Sequence, residues 1–311
     1  MRRAIVFTLA LGAPPAVAGA QDGGASAAVV LEQPASARAM ALGGAIVAGG
    51  DADASLFANP AALASGGLQG SASGQGWIAG ARLGAVSVAF GGAGGSVGIG
   101  VRALSYGSER EIVPDTANFG GQRGMETGRT ISANEIAASV GYARALGRAR
   151  VGVAAGWVRQ QIANVSGGTA FIDLGTTVTL GRGIVAGAAV QNLGGSLELA
   201  STASALPRLI RAGLAMPVAA GPVQLSLSGE AVQSEAGGAE GRGGIEATWR
   251  AASGVTVQGR AGIRGGATES TLGMATLGGA VGTARIGADY AYQTLGALGG
   301  ATHRIGIRIA R

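Results

Sequence analysis

The chain has 311 residues, including 60 glycines, 23 basic residues and 17 acidic residues, with a formal net charge of +6. It contains no cysteine and one histidine, which excludes disulfides, thiolate metal sites, cysteine nucleophiles and sites built from several histidines. All the basic residues are arginines, and they are scattered singly instead of forming the patch that nucleic-acid binding requires. The sequence therefore predicts no metal, no cofactor and no nucleic-acid partner.

The first 20 residues have the pattern of a secretory signal peptide. Arg2 and Arg3 precede an apolar stretch, residues 4–11, and the small residues Ala18-Gly19-Ala20 suit cleavage before Gln21. The apolar stretch is much shorter than the roughly 20 residues that a membrane-spanning helix needs. We therefore expect Sec export, and the pattern that follows indicates the bacterial outer membrane as the destination.

Residues 21–66 are rich in alanine and do not alternate between apolar and polar positions. They include Asp51, Asp53 and the stretch Asn59-Pro60-Ala61. We interpret this region as a compact N-terminal hatch, or plug, of short helices and turns inside a barrel. A periplasmic extension outside the barrel is an equal alternative.

From residue 67 to residue 311, segments of about ten residues alternate between apolar and polar or small side chains, with Gly, Pro or Asn between segments. In the last segment, one face carries Ile305, Ile307 and Ile309, and the other face carries Arg304 and Arg308. A period of two is the period of a strand. The pattern predicts an all-β fold, a transmembrane antiparallel β-barrel of about 14 strands over residues 67–311. A soluble two-layer β protein is the alternative, although such a protein has less use for so many apolar faces.

The connections between these segments differ in length. The longest polar interruption, residues 114–130, predicts a long extracellular loop, whereas Leu146-Gly147-Arg148 and Gly181-Arg182-Gly183 predict short periplasmic turns. The two kinds of connection define opposite ends of the predicted barrel.

Eight stretches, in one order along nearly the whole mature chain, carry a family resemblance. They are residues 37–45, 59–63, 171–175, 190–195, 206–207, 211–214, 289–292 and 298–305. Together they resemble the PorV/PorQ family of outer-membrane proteins, which is related to the FadL-type long-chain fatty-acid channels. The resemblance implies a 14-stranded barrel with an N-terminal hatch, and in FadL-type channels the Asn-Pro-Ala stretch, here Asn59, Pro60 and Ala61, belongs to that hatch.

The same resemblance implies a function of one of two kinds. The first is a part in type IX protein secretion, where family members bind exported substrates or a larger translocon. The alternative is a FadL-like channel for uptake of hydrophobic or amphipathic small molecules. The implied partners are outer-membrane lipid and either secretion-system proteins or such a ligand.

The stretch Asn59-Pro60-Ala61 also has a meaning that is independent of the family. An Asn side chain can cap a helix that follows it, and Pro suits the first helical turn. The stretch therefore predicts a helix start, which serves either as a gating turn of the hatch or only as a cap.

The inward faces of the predicted strands carry charged side chains. We predict as lumen-facing Arg211, Glu230, Arg250, Arg260, Arg264, Arg285, Asp289, Arg304 and Arg308. An unpaired set of arginines would attract carboxylates. Pairing with Glu230, Glu246, Asp173 and Asp289 is the favoured alternative, because close unpaired like charges in a narrow lumen are costly.

One arrangement raises the question of catalysis. His303 is close in sequence to Asp289, and a serine could complete a hydrolase site. Such a site needs a nucleophile within hydrogen-bond reach of its base, and the sequence singles out none. We therefore predict no catalytic residues and a protein that is not an enzyme.

Overall fold

The computed structural model describes residues 26–49, 56–121, 123–235, 238–266, 274–295 and 300–311. The predicted signal peptide lies outside these residues, as do Asp51 and Asp53. The strands are β1 (Leu68–Gly76), β2 (Arg82–Gly92), β3 (Gly95–Pro114), β4 (Gly124–Leu146), β5 (Ala149–Ile162), β6 (Val165–Thr179), β7 (Val185–Gly194), β8 (Ser196–Leu199), β9 (Thr202–Ala205), β10 (Leu209–Ala220), β11 (Val223–Ser234), β12 (Gly238–Arg250), β13 (Thr256–Gly266), β14 (Met274–Gly282), β15 (Ile286–Thr294) and β16 (Ala301–Ala310).

The helical elements are short. They include α1 (Ala37–Ala41), α2 (Thr116–Phe119) and 3-10 helices at Val29–Leu31, Pro60–Ser65, Ile78–Gly80 and Gly181–Gly183. Within the described residues, no helix has the length and apolar character needed to cross a membrane.

Fourteen strands form one closed antiparallel barrel, which confirms the predicted fold class. Each barrel strand pairs with its neighbours in chain order, except that β7 pairs with β10. The barrel closes where β1 pairs with β16, from Gln69 opposite Ala310 to Gly76 opposite His303. The strands β8 and β9 form a separate two-stranded hairpin between β7 and β10.

The connections at the two ends of the barrel differ as predicted. At the end that holds the start of β1 and the end of β16, successive strands are joined by two to five residues, and Leu146-Gly147-Arg148 and Gly181-Arg182-Gly183 both lie there. We call this the short-turn end. The opposite end carries the β8–β9 hairpin and the other long connections, and we call it the long-connection end.

The prediction of a long loop over residues 114–130 is wrong in its extent. Strand β3 extends to Pro114 and strand β4 begins at Gly124, so that only residues 115–123 connect them. The pairing of β3 with β2 ends at Ser105, and that of β4 with β5 ends at Ala133. Residues 106–132 therefore form a two-stranded ribbon beyond the barrel. Both faces of this ribbon meet solvent, so its sequence lacks the apolar alternation that identifies a barrel strand.

The alternation of side chains within the barrel strands is confirmed. The three isoleucines of β16 point outward, while Arg304 is buried inside. Exposed apolar side chains on other strands include Val86, Ile99, Val140, Val153, Ile172, Leu214, Ile263 and Leu277. A continuous apolar exterior of this kind is typical of a barrel embedded in lipid and untypical of a soluble protein. The core lies inside, between the barrel wall and the N-terminal segment.

The lipid-facing belt predicts a large cost for a charge on β16. Ile305 and Ile112 are equally exposed, at 67% and 64%, but Ile305 lies in the belt and Ile112 in the ribbon. We expect Ile305→Arg to lower the free energy of unfolding by about 2–4 kcal/mol, the cost of an arginine near the bilayer midplane. Ile112→Arg is the matched control and should change it by less than about 0.5 kcal/mol. Urea titrations of the protein folded in vesicles measure both, and equal effects would contradict a lipid-facing β16.

Candidate functional site in the barrel lumen

The described parts of the N-terminal segment, residues 26–49 and 56–66, lie in the lumen and are called the plug. At the long-connection end, the Ala27 amide donates to the Ala205 carbonyl of β9 at 3.2 Å. The segment then passes α1, which packs against β13 to β16, and ends in the 3-10 helix Pro60–Ser65, which packs against β2 to β6. Of the two alternatives for residues 21–66, the described part is therefore a plug and not an extension outside the barrel.

Asn59 holds the start of the last plug helix and ties it to the wall. Its Oδ1 accepts the Ala61 amide at 3.1 Å, which is the predicted cap, and Pro60 occupies the first turn. Its Nδ2 donates to the Val47 carbonyl at 2.7 Å and to the Thr176 carbonyl of β6 at 3.1 Å. Asn59 is thus more than a helix cap, because it joins two parts of the plug to the barrel wall.

Glycines on the inner wall let the plug backbone approach the strands closely. A Cβ atom added at Gly262 of β13 would overlap the peptide between Leu42 and Gly43. One added at Gly175 of β6 would overlap Asn59. The abundance of glycine in this chain therefore has a steric cause at the plug–wall contact, in addition to the turns.

Glu230 of β11 is a central acceptor for the plug. Its Oε2 accepts the amides of Ile46 and Val47 at 2.9 and 2.8 Å, and its Oε1 accepts Arg211 Nε at 2.6 Å. Arg211 in turn donates to the Gly44 carbonyl at 2.9 Å. The wall thereby supplies hydrogen-bond partners to the plug backbone, and it satisfies the Val47 amide, which has no backbone partner among the described residues.

A second network of ion pairs joins α1 to the strands β12, β13, β15 and β16. Arg38 of α1 bonds Glu246 at 2.9 Å, and Arg260 bonds both Glu246 and Asp289 at 2.6 Å. Arg308 completes the network on Asp289 at 3.1 Å. Nearby, Arg242 and Arg264 bond Glu240 at 2.8 and 2.9 Å. Burial makes each such pair costly to break, because removal of one partner leaves an uncompensated charge.

The remaining predicted charges lie elsewhere. Arg304 is buried in the lumen, where it donates to Gln75 at 2.9 Å and Ser73 at 3.0 Å. Arg250 ends β12 and Arg285 lies in the turn before β15, and both are exposed at the short-turn end. These two arginines are not part of the lumen network. Beyond the end of a strand, the alternation of side chains no longer determines whether a side chain points inward.

Sequence analysis missed several lumen residues, and Arg102 of β3 is the most informative. It is buried, donates to the Leu31 carbonyl at 3.0 Å and lies 4.8 Å from the centre of the Phe57 ring. Its Nε and Nη2 find no hydrogen-bond partner among the described residues, and neither does Nη2 of Arg304. Both arginines line one cleft beside Gln33 and Pro34 of the plug. Strand parity, the alternation of side chains between the two faces of a strand, could alone have identified Arg102 as inward-facing.

The long-connection half of the lumen contains an apolar cluster, which we call the apolar chamber. Plug and wall contribute Val30, Leu31, Leu83, Leu104, Val158 and Phe171. The β8–β9 hairpin covers the chamber, and its Leu197 is fully buried among these side chains. A smaller apolar cluster lies towards the short-turn end around Phe57 and Leu63. Arg102 lies between the two, since it contacts both Leu31 and Phe57.

The lumen has little free space. A cavity of about 30 Å³ lies between the plug and the wall, beside Glu32, Phe57, Gln191 and Arg211. An apolar cavity of about 150 Å³ is what holds benzene in an engineered protein. A molecule larger than a few waters therefore requires movement of the plug or of the hairpin.

Glu32 of the plug borders this cavity. Burial raises the pKa of its carboxyl above the usual value, although a hydrogen bond from Ser234 and the charges of Arg264 and Arg242 oppose the shift. The Glu32 carboxyl therefore takes up a proton more readily than an ordinary exposed carboxyl does.

The structure separates the residues of the imagined hydrolase site. His303 points outward and its Nδ1 lies 2.7 Å from the Tyr290 hydroxyl, whereas Asp289 points inward to Arg260. They lie on opposite faces of the wall. Among the described residues, no group of three or more His, Cys, Asp or Glu side chains could hold a metal ion.

Comparison with known proteins finds solved structures that share this fold. No known family model matches the chain, and no curated protein matches its sequence. The CymD monoaromatic hydrocarbon channel aligns over 89% of this chain and 97% of its own, with 11% identity and a TM-score of 0.61. The toluene transporter TodX of Pseudomonas putida aligns over 89% of this chain and 97% of its own, with 13% identity and a TM-score of 0.59. A FadL homologue of Pseudomonas aeruginosa aligns over 89% of this chain and 98% of its own, with 9% identity and a TM-score of 0.55. The chain therefore has the fold of the FadL-type channels.

The plug–wall contact predicts opposite effects for two glycines of β13. Gly262→Ala should displace the turn at Gly43 and lower the free energy of unfolding by about 1–3 kcal/mol, as overpacking does. Gly259 has no atom near its virtual Cβ, so Gly259→Ala should be neutral or slightly stabilising. Trypsin cleavage after Arg38 reports plug displacement and should accelerate only for Gly262→Ala. Equal cleavage rates in the two variants would contradict the contact.

Proposed function

We propose that the protein is an outer-membrane channel that takes up small hydrophobic or amphipathic molecules. The apolar chamber beneath the β8–β9 hairpin carries this proposal, because its lining is apolar and displacement of Leu197 would open space among these side chains. The names of TodX and CymD describe a toluene transporter and a monoaromatic hydrocarbon channel, and their fold supports the same class of function here. The long-connection end then faces the cell exterior and the short-turn end the periplasm, as in bacterial barrels generally.

The passage follows the β2–β6 side of the lumen. The apolar chamber and the cluster around Phe57 both lie there, with Arg102 between them. On the β10–β16 side, Arg38 anchors the plug through a buried ion pair with Glu246. Arg211 and Glu230, which are paired with each other within the wall, bond the plug backbone at Gly44, Ile46 and Val47. Breaking the Arg38–Glu246 pair costs about 3–5 kcal/mol, whereas apolar packing can be replaced by contacts with an apolar ligand. The plug therefore opens locally, and it stays anchored at Arg38 and at the Arg211–Glu230 pair.

The two arginines with free donors bear on the ligand class. Arg102 and Arg304 line one cleft and retain guanidinium nitrogens without a partner in the described chain. A carboxylate would supply acceptors for them, and such pairs are strong. This supports amphipathic acids as ligands beside wholly apolar molecules.

A role in type IX secretion, as implied by the PorV/PorQ resemblance, is the second candidate. The observation in its favour is the ribbon, residues 106–132, which stands clear of the barrel and presents exposed strands to a protein partner. A protein that co-purifies with the intact chain, and is lost when the ribbon is shortened, would favour this role over the channel.

Leu197 provides the test of the channel. Trp77 packs against the apolar chamber. The double substitution Trp157→Phe and Trp249→Phe leaves Trp77 as the single tryptophan of the chain. Quenching of its fluorescence by bromobenzene then reports binding in the chamber. We expect saturable quenching, and Leu197→Ala should tighten binding roughly tenfold, because a ligand then no longer has to displace this side chain. Leu199→Ala is the matched control, since Leu199 only borders the chamber. Quenching that stays linear and identical in all variants would mean partition into detergent and would contradict the proposal.

A further inference from the structure

The charges of the described chain are divided unevenly between the two ends of the barrel. At the short-turn end lie Arg144, Arg148, Arg150, Arg182, Arg250 and Arg285, followed by Arg311. Every Asp and Glu of the described residues lies either in the lumen or at the long-connection end. The short-turn end thus carries arginine side chains with no acidic side chain of the described residues among them. We call these arginines the basic rim.

The long-connection end has a different balance. Its exposed arginines are Arg82, Arg110, Arg123, Arg129, Arg159 and Arg208, and its acidic residues are Glu109, Glu111, Asp115, Glu126, Glu198 and Glu235. Three salt bridges form there, between Arg110 and Glu126, between Arg129 and Glu111, and between Arg208 and Glu235. At this end the acidic residues of the described chain equal the exposed arginines in number, and three of them form salt bridges with arginines.

The arginines of the basic rim take part in no salt bridge with a described residue. All are exposed except Arg150, which is half-buried. They occupy strand ends and turns from β4 to β7, at β12, at β14–β15 and after β16. The positive charge consequently surrounds much of the barrel mouth instead of forming one patch.

The basic rim adjoins the apolar belt. Arg144 follows Val140 and Tyr142 on the outward face of β4, and both of those side chains are exposed. Arg311 follows the outward-facing Ile309 in the same way. Arginines at this position extend their charged ends from the hydrocarbon boundary to the headgroup layer. The groups that these arginines meet first are therefore lipid headgroups.

We infer that the basic rim binds anionic phospholipid headgroups in the leaflet at the short-turn end. A guanidinium group binds phosphate through paired hydrogen bonds, and each arginine close to an anionic membrane surface adds attraction. Charge complementarity and continuity with the lipid-facing belt support a lipid as the partner, because a ring around the barrel matches a surrounding leaflet. This inference does not depend on the channel function.

Native mass spectrometry of the detergent-solubilised protein tests the inference. The protein is titrated with equal amounts of phosphatidylglycerol and phosphatidylcholine, and we expect preferential retention of phosphatidylglycerol. Replacing the six arginines from Arg144 to Arg285 of the basic rim with Gln should reduce this preference about tenfold. Replacing the six arginines of the long-connection end with Gln is the matched control and should leave the preference in place. Heat-modifiable migration in gels verifies that each variant is folded.

Four outcomes would overturn the inference. The first is a wild-type protein without lipid preference, and the second is an equal loss in both sextuple variants, which would reflect net charge alone. The third is competition by soluble glycerophosphate at the same concentration, which would indicate a site for free phosphate. The fourth is rim-dependent binding of polyglutamate without lipid preference, which would indicate an acidic protein partner.

Discussion

The close contact between the plug backbone and the inner wall is the constraint on which the rest of the structure depends. A chain that fills the lumen of its own barrel buries many peptide groups, and each of them needs a hydrogen-bond partner. The wall meets this need in two ways. Glycines such as Gly262 remove the steric barrier to close approach, and carboxylates such as Glu230 accept amides of the plug. The paired arginines follow, because a buried carboxylate such as Glu230 is stabilised by an opposite charge beside it.

This construction divides the lumen into two unlike sides. On the β10–β16 side the plug is held by the Arg38–Glu246 ion pair and by backbone hydrogen bonds to the paired Arg211 and Glu230. On the β2–β6 side it is held mainly by apolar packing and single hydrogen bonds such as that from Val30 to Glu135. A hydrophobic molecule replaces apolar contacts at little cost and replaces ion pairs at a high cost. In the proposed channel, a ligand would therefore make room for itself on the β2–β6 side, where no plug–wall ion pair of the described residues has to break.

Strand parity made much of this structure predictable. The alternation in β16 predicted Arg304 inside and Ile305 outside, and the alanine-rich, non-alternating residues 21–66 were open to two interpretations, a plug or an extension. Parity failed at strand ends, where Arg250 and Arg285 are exposed, and in the ribbon, where both faces meet water. It also could not reveal the partners of Arg102 or the burial of Leu197, because both depend on how the plug and the β8–β9 hairpin fold back into the lumen.

In the proposed channel, the plug opens on its apolar side and stays anchored at Arg38 and at the Arg211–Glu230 pair. Hydrogen exchange of the folded protein, resolved to single amides, distinguishes the two sides of the plug. The amides of Val30, Leu31, Ile46 and Val47 are all hydrogen-bonded and lie on the two different sides. We predict faster exchange at Val30 and Leu31, with bromobenzene altering only these two. Exchange at Ile46 and Val47 that is equally fast, or equally altered by bromobenzene, would contradict the account.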